Sequence, residues 1–255
     1  MRFGWLRHPR RRALAVVLAV VVALAAGVSI DAALAPPALP PVDGVMFDRA
    51  VPDIPLLDAQ GRPTSLAALQ GKIVVLAPFM TLCHEMCPLT TGNYLQLQAQ
   101  LARDGLADRV ALVEVTIDPA RDTPDRLAAY EKLTGASWTL LTGTQASITA
   151  FWKYFGIAYE RVPEPSPASI DWYTHQPETY DVVHQDGLFF LGPDGHWRIA
   201  LVASPDFQGT LPSPLAALLD AQGEQNLTHP VVPLSWTVRQ ALDNVSVLLG
   251  RPIKD

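Results

Sequence analysis

Two thiols stand close together in the stretch TLCHEMCP, residues 81–88: Cys83 and Cys87 are the only cysteines among 255 residues. Thiolates are nucleophiles, disulfide formers and metal ligands. The spacing therefore admits four readings: a structural disulfide, a redox-active dithiol, two ligands to one ion, or coincidence. A bridge across so short a loop would constrain little of the unfolded chain, which weighs against a structural disulfide. Pro88 suits the first turn of a helix, placing Cys87 at or beside a helix N-terminus, where unpaired N–H groups and the macrodipole favour a thiolate. Cys83 then lies in the loop leading in, and both sulfurs face one another, or one ion, from the same side.

Two thiolates select a soft cation, copper(I) above all, but leave it a ligand short. Histidine is the expected supplement, and there are six. His8 precedes a long apolar run. His84, between the cysteines, points away from an ion that both sulfurs share, although it is placed to lower their pKa. His175, His196 and His229 fall in a proline-rich segment, a hairpin turn and the tail. His184, in YDVVHQDGLFFL, directly precedes an apolar strand able to lie beside the strand that leads to the cysteines. Met80 and Met86 flank the motif, where packing is the ordinary use of methionine.

The frame for these residues is legible from periodicity. KIVVLAPF is a continuous apolar strand of the kind buried on both faces, preceded by a hairpin signalled by Ala59-Gln60-Gly61. After the cysteines come a helix closed by Gly105, the strand RVALVEVTI, and a helix with Pro124 in its first turn and Gly135 at its end. SWTLLTG then reads as a strand and TQASITAFWKYFG as a helix. DGLFFLG and HWRIALV are strands joined by Pro-Asp-Gly, and SPLAALLDAQG is a helix. This alternation predicts an α/β sheet with the dithiol at the carboxyl end of a central strand, the edge at which such sheets carry their sites. The segment 161–183 reads as an irregular proline-rich insertion in which Trp172, Tyr173 and His175 form either a docking surface or a solvated loop. Leu234, Val238, Leu242, Val245 and Leu249 make one face of an amphipathic C-terminal segment.

A hydrophobic fraction of 49% against 17% charged residues suffices for a sizeable core and excludes a disordered chain. Five arginines in the first twelve residues precede 18 uncharged residues, Ala13 to Ile30, the pattern of a membrane span or secretory signal with its arginines left in the cytoplasm. The run exceeds a typical signal core, and Pro36 follows the cleavage-like Ala33-Leu34-Ala35, which favours a retained anchor. Expected boundaries are 1–34 for the Arg-rich flank and anchor, 35–44 for a stiff Pro-rich linker, and 45–222 for the α/β domain with its insertion over about 161–180. Residues 223–255 form a C-terminal extension. The expected location is a single-pass inner-membrane protein whose soluble domain is extracytoplasmic, in the periplasm. Beyond residue 12 the balance is 14 Lys and Arg against 25 Asp and Glu, which argues against nucleic acid as a partner.

Four landmarks occur in order: Cys83-x-x-x-Cys87-Pro88, VTIDPARDTP from Val115 to Pro124, His184, and FFLGPDG after it. In these the chain resembles the Sco/SenC family of membrane-anchored thioredoxin-fold proteins, copper chaperones and thiol oxidoreductases associated with cytochrome c oxidase assembly. The resemblance covers roughly Ile54 to Leu219. It implies a thioredoxin-like fold and a copper ion held by Cys83, Cys87 and His184, with the two cysteines also serving as a redox-active dithiol. The implied partner is a respiratory oxidase copper-site subunit or another thiol or copper protein. Thr81 matches a threonine of the family motif, and Asp118 an acid near the site. The implied function is copper delivery, with thiol-disulfide oxidoreduction by the same cysteine pair as the alternative. Three departures stand out: His84 in place of a proline, Met80 in place of an aromatic residue, and Val183 where an aspartate commonly precedes the histidine. The last predicts that the imidazole lacks its carboxylate partner.

Overall fold

The seven residues IVVLAPF are buried without exception and form strand β4 (Ile73–Phe79), around which the domain is laid out. In the computed structural model residues 38–228 and 234–253 are described. The expected anchor over 13–30 and His229 lie outside them, and no helix among the described residues is long and apolar enough to cross a membrane.

Three strands precede β4: β1 (Val45–Ala50), β2 (Leu56–Asp58) and β3 (Pro63–Thr64). After it come α1 (Cys87–Arg103), β5 (Val110–Thr116), α2 (Pro124–Thr134), β6 (Thr139–Thr142) and α3 (Gln145–Phe155). A hairpin of β7 (Tyr159–Pro163) and β8 (Tyr180–His184) leads to β9 (Leu188–Leu191) and β10 (His196–Leu201). The C-terminal part holds β11 (Ser204–Pro205), α4 (Ser213–Ala216), α5 (Ala221–Thr228), β12 (Ser235–Trp236) and α6 (Val238–Leu249).

The main sheet has the order β1-β10-β9-β4-β5-β6-β2-β3. Strands β4, β5 and β6 are parallel, joined through helices that cover their faces, while β9 and β10 add antiparallel partners on the other side of β4. The expected placement of the strand after His184 beside the strand before the cysteines is thus observed, Leu76 pairing with Phe189. Strands buried on both faces take continuous apolar runs, and LFFL of β9 and IVVL of β4 meet this need. Trp152 and Phe155 of α3 pack against Phe189, and Phe151 packs against both of them.

Helix signals act where the sequence places them. Thr123 and Thr144 cap α2 and α3 through their side chains, and Gly135 and Gly156 end them in left-handed backbone that only glycine takes without strain. Helix α6 opens with a capping box of Thr237 and Gln240, and its buried Asn244 holds the main chain of Asp43 through both amide atoms, at 2.9 and 2.8 Å.

Three differences from the sequence reading have physical causes. Strand β1 carries no alternating pattern, since it lies at the sheet edge; Phe47 stacking on Trp197 at 4.1 Å secures it. The 161–183 segment is irregular only in its middle, because its ends pair as β7 and β8, with Tyr159 opposite His184. The single helix expected over SPLAALLDAQG breaks into α4 and α5. The break falls where the Leu218 carbonyl and the Asp220 amide bond to His84 instead of to helical partners.

Candidate metal centre

Cys87 is the first residue of α1, with Pro88 following it and Met86 at the cap position offering no side-chain bond. The cap is supplied instead by Cys83, whose Sγ accepts the amide N–H of Cys87 at 3.2 Å and faces that of Met86 at 3.5 Å. These N–H groups have no helical carbonyl, and a sulfur bearing negative charge is well matched to them and to the helix dipole. Both thiols are buried and unlinked.

His184 is the last residue of β8, in the two-stranded β7–β8 sheet that stands apart from the main one. Its Nε2 lies 3.7 Å from Cys87 Sγ, and its Nδ1 lies 3.0 Å from the Gln185 carbonyl. Together Cys83, Cys87 and His184 form a group whose ligand atoms all lie within 4.8 Å of one another. Two metal–sulfur bonds of about 2.3 Å span about 4.6 Å at most. One ion therefore fits among the three with small side-chain movement.

The electrostatics prepare a thiolate. A hydrogen bond from the Cys87 thiol, and then the His184 ring, hold the Cys83 thiol well below its usual range against the cost of burial. Burial, followed by the Cys83 charge, pushes the Cys87 thiol well above its usual value. At His184 burial opposes protonation, but the Cys83 thiolate and Asp186 outweigh it and raise the pKa to about 9. Negative charge on Cys83 and positive charge on His184 thus favour one another, while the same surroundings disfavour charge on Cys87.

Asp186, two residues after the histidine, faces its Nδ1 at 3.6 Å. The carboxylate partner expected to be missing is therefore present from the other side, and the sequence signal was His-x-Asp in HQD. Burial lifts Asp186 to about 6, with the His184 charge opposing the rise.

The VTIDPARDTP segment braces the site without entering it. The buried Asp122 accepts from both the backbone N–H and the hydroxyl of Thr81 and from the hydroxyl of Thr116, tying the cysteine loop to the end of β5. Asp118 is not in the Cys-Cys-His group. It accepts from Arg121 and from the Tyr180 hydroxyl at the start of β8. Arg121 in turn donates to the Tyr180 carbonyl and to Glu178. These contacts fix the strand whose last residue is His184.

His84 points away from the sulfurs, as expected, with one nitrogen 2.7 Å from the Leu218 carbonyl and the other 2.7 Å from Glu178 Oε1. Glu178, with burial opposing, raises its pKa to about 9. Trp172 is packed rather than solvated: its indole N–H donates to the Thr81 carbonyl at 2.8 Å and its ring meets Tyr130. His175 takes left-handed backbone on the exposed loop, and His196 pairs with Asp48 at the sheet edge, so neither joins the group. Met80 and Met86 line the pocket in front of the sulfurs, and the Met86 sulfur accepts from Asn226. Glu85, Glu164, Asp181 and Asp220 make the rest of its wall acidic.

Residues 48–207 match the family model described as SCO1/SenC. Among curated proteins the chain is 32% identical over 151 residues to a protein of Stutzerimonas stutzeri named as a candidate copper-binding protein, covering 59% of this chain and 68% of that one. It is 28% identical to the SCO1 protein homolog of Bacillus subtilis, covering 53% of this chain and 64% of the relative, and 27% identical to the mitochondrial SCO2 homolog of Bos taurus, half of whose length it spans. The solution structure of apo Sco1 from Thermus thermophilus superposes with a TM-score of 0.52 at 24% identity, over 64% of this chain and 88% of that one. The crystal structure of Arabidopsis thaliana ScoI with copper bound gives 0.50 at 20% identity, over 62% of this chain and 87% of that one. These likenesses identify the fold as the mixed α/β, thioredoxin-like fold of those structures.

Proposed function

The chain belongs to the SCO1/SenC family, and from that premise we propose that it binds copper through Cys83, Cys87 and His184 and delivers the ion in the assembly of a respiratory oxidase. The observation that carries the proposal is the convergence of two sulfurs and one imidazole within 4.8 Å at the carboxyl end of β4. Two soft donors and one borderline donor suit copper(I), and three protein ligands leave a coordination position open. An incoming thiol or imidazole of an acceptor can use that position, so the ion passes by ligand exchange. The acidic pocket wall supports approach of a cation and of a basic partner surface. The Arg-rich flank and apolar run of residues 1–34 support tethering to the inner membrane, with residues 45–222 working outside the cytoplasm.

A second reading rests on a different observation, the lowered Cys83 thiol beside the raised Cys87 thiol. That pair is suited to attack on a client disulfide by Cys83, followed by resolution through Cys87. Titration of the reduced full chain in detergent with copper(I), beside His184→Ala, separates the two. Copper delivery requires one tightly held ion per chain that the variant loses, whereas dithiol exchange survives the substitution. No specific copper binding by the parent would leave the oxidoreductase reading.

A further inference from the structure

The turn of three residues between the cysteines, His84 to Met86, is gripped by two segments that lie outside the motif. From the C-terminal side, the Asp220 amide donates to the His84 carbonyl at 3.1 Å, and the Leu218 carbonyl meets His84 Nδ1 at 2.7 Å. Gly223 of α5 packs so closely that a Cβ there would lie 2.2 Å from the His84 oxygen and 3.2 Å from Glu85 Cα. From the hairpin side, Glu178 meets His84 Nε2 at 2.7 Å. Leu218, Asp220 and Gly223 all fall beyond the matched residues 48–207.

We propose that His84 is a positioning residue, and that with Glu178 and the 218–223 segment it clamps the 83–87 turn in the geometry that receives an ion, at the expense of the geometry that closes a disulfide. The inference rests on the copper reading for its metal half only. Its physical basis is the position of Cys83 Sγ, which caps α1 through two amide N–H groups. A disulfide demands a bond of about 2.05 Å with a particular torsion about it. Reaching that torsion turns Cys83 Sγ off those amides and shifts the 84–86 peptide. The peptide resists that shift while the His84 carbonyl and both nitrogens of its ring are held from two sides. The clamp therefore stabilises the open dithiol, which is the form that binds metal, and raises the cost of oxidation.

The test uses the full chain in detergent and three variants: His84→Ala, Glu178→Ala and Gly223→Ala. The last adds one methyl group from a helix outside the family domain. Each is equilibrated with oxidised and reduced glutathione; two protein thiols give up two electrons and two protons to one glutathione disulfide, forming the protein disulfide and two glutathione thiols. Release of the clamp raises this equilibrium constant about fivefold or more in each variant, and His84→Ala with Glu178→Ala combined gives less than the product of the two. Copper(I) affinity, read by competition with a chromophoric chelator, falls at least about tenfold in the same variants. An equilibrium constant within twofold of the parent in variants that keep the parent's near-ultraviolet circular dichroism overturns the clamp. Because the glutathione readout needs no metal, a parent that binds no copper would sink the copper reading and still decide this one.

Discussion

The Nε2 atom of His184 lies 3.7 Å from the Sγ of Cys87, although 97 positions separate the two residues along the chain. The contact depends on β9 pairing antiparallel with β4, which brings the segment leading into β9, residues 184–187, to the end of β4 where the cysteine loop begins. His184→Ala removes one of three donors and leaves the thiols in place. Copper(I) affinity is expected to fall by more than about 100-fold, since changes beyond the ligands themselves already cost about 10–100-fold. Chelator competition measures it, and an unchanged affinity would show that the imidazole is not a ligand.

Asp186→Asn keeps the shape of the carboxylate that faces His184 Nδ1 and removes its charge. The ring becomes less basic, and copper affinity is expected to drop about tenfold. Nuclear magnetic resonance titration of the ring in the metal-free protein should place its pKa below the parent value of about 9.

Copper binding is expected to tighten as pH rises. On the copper reading the ion takes a neutral His184 and two thiolates, whereas His184 holds its proton up to about 9 and the Cys87 thiol is pushed up by burial and by Cys83. His184 and Cys87 each release a proton per ion, so affinity rises at least about a hundredfold per pH unit between 6 and 8. Proton release in weakly buffered solution reads the count directly; a release near zero would mean that the resting pair is not protonated as described.

Glu114, fully buried on β5 with Trp138 and Thr91 as donors, has its pKa raised by burial from 4.5 to about 8. A carboxyl whose folded pKa exceeds its unfolded value contributes stability that is complete below about 4.5 and lost as pH rises through about 8. Asp122, raised to about 6, acts in the same direction. The melting temperature should therefore fall between pH 5 and 8, and Glu114→Gln should flatten that fall. A parent and variant with parallel profiles would reject the assignment.

Most of the frame was legible because its signals are local. The apolar runs of β4, β5 and β9 and the Thr-Pro and Gly ends of α2 identify elements without knowledge of what they touch. The grouping of Cys83, Cys87 and His184 follows from the order of those elements. Asp122 and Glu178 were not legible, since their roles depend on packing between segments far apart in sequence, whereas Asp186 carried a local signal, His-x-Asp, that the reading of Val183 passed over. Asp122 is one acid among several in DPARDTP until the Thr81 hydroxyl reaches it. The break between α4 and α5 was hidden for the same reason: Leu218 and Asp220 have ordinary helical neighbours, and only the presence of His84 explains why their backbone groups turn away.

The approach of His184 to Cys87 across 97 positions exists only in the folded chain, whereas Cys83 and Cys87 stay neighbours when it unfolds. On the copper reading, the ion is therefore a folding ligand whose leverage comes from the third donor alone. Free copper at about 100 times the dissociation constant adds about 2.7 kcal/mol to the folded state, less whatever the loose cysteine pair of the unfolded chain captures. The melting temperature then becomes a gauge of copper supply, and a chain deprived of metal is more exposed to proteolysis than one that is loaded.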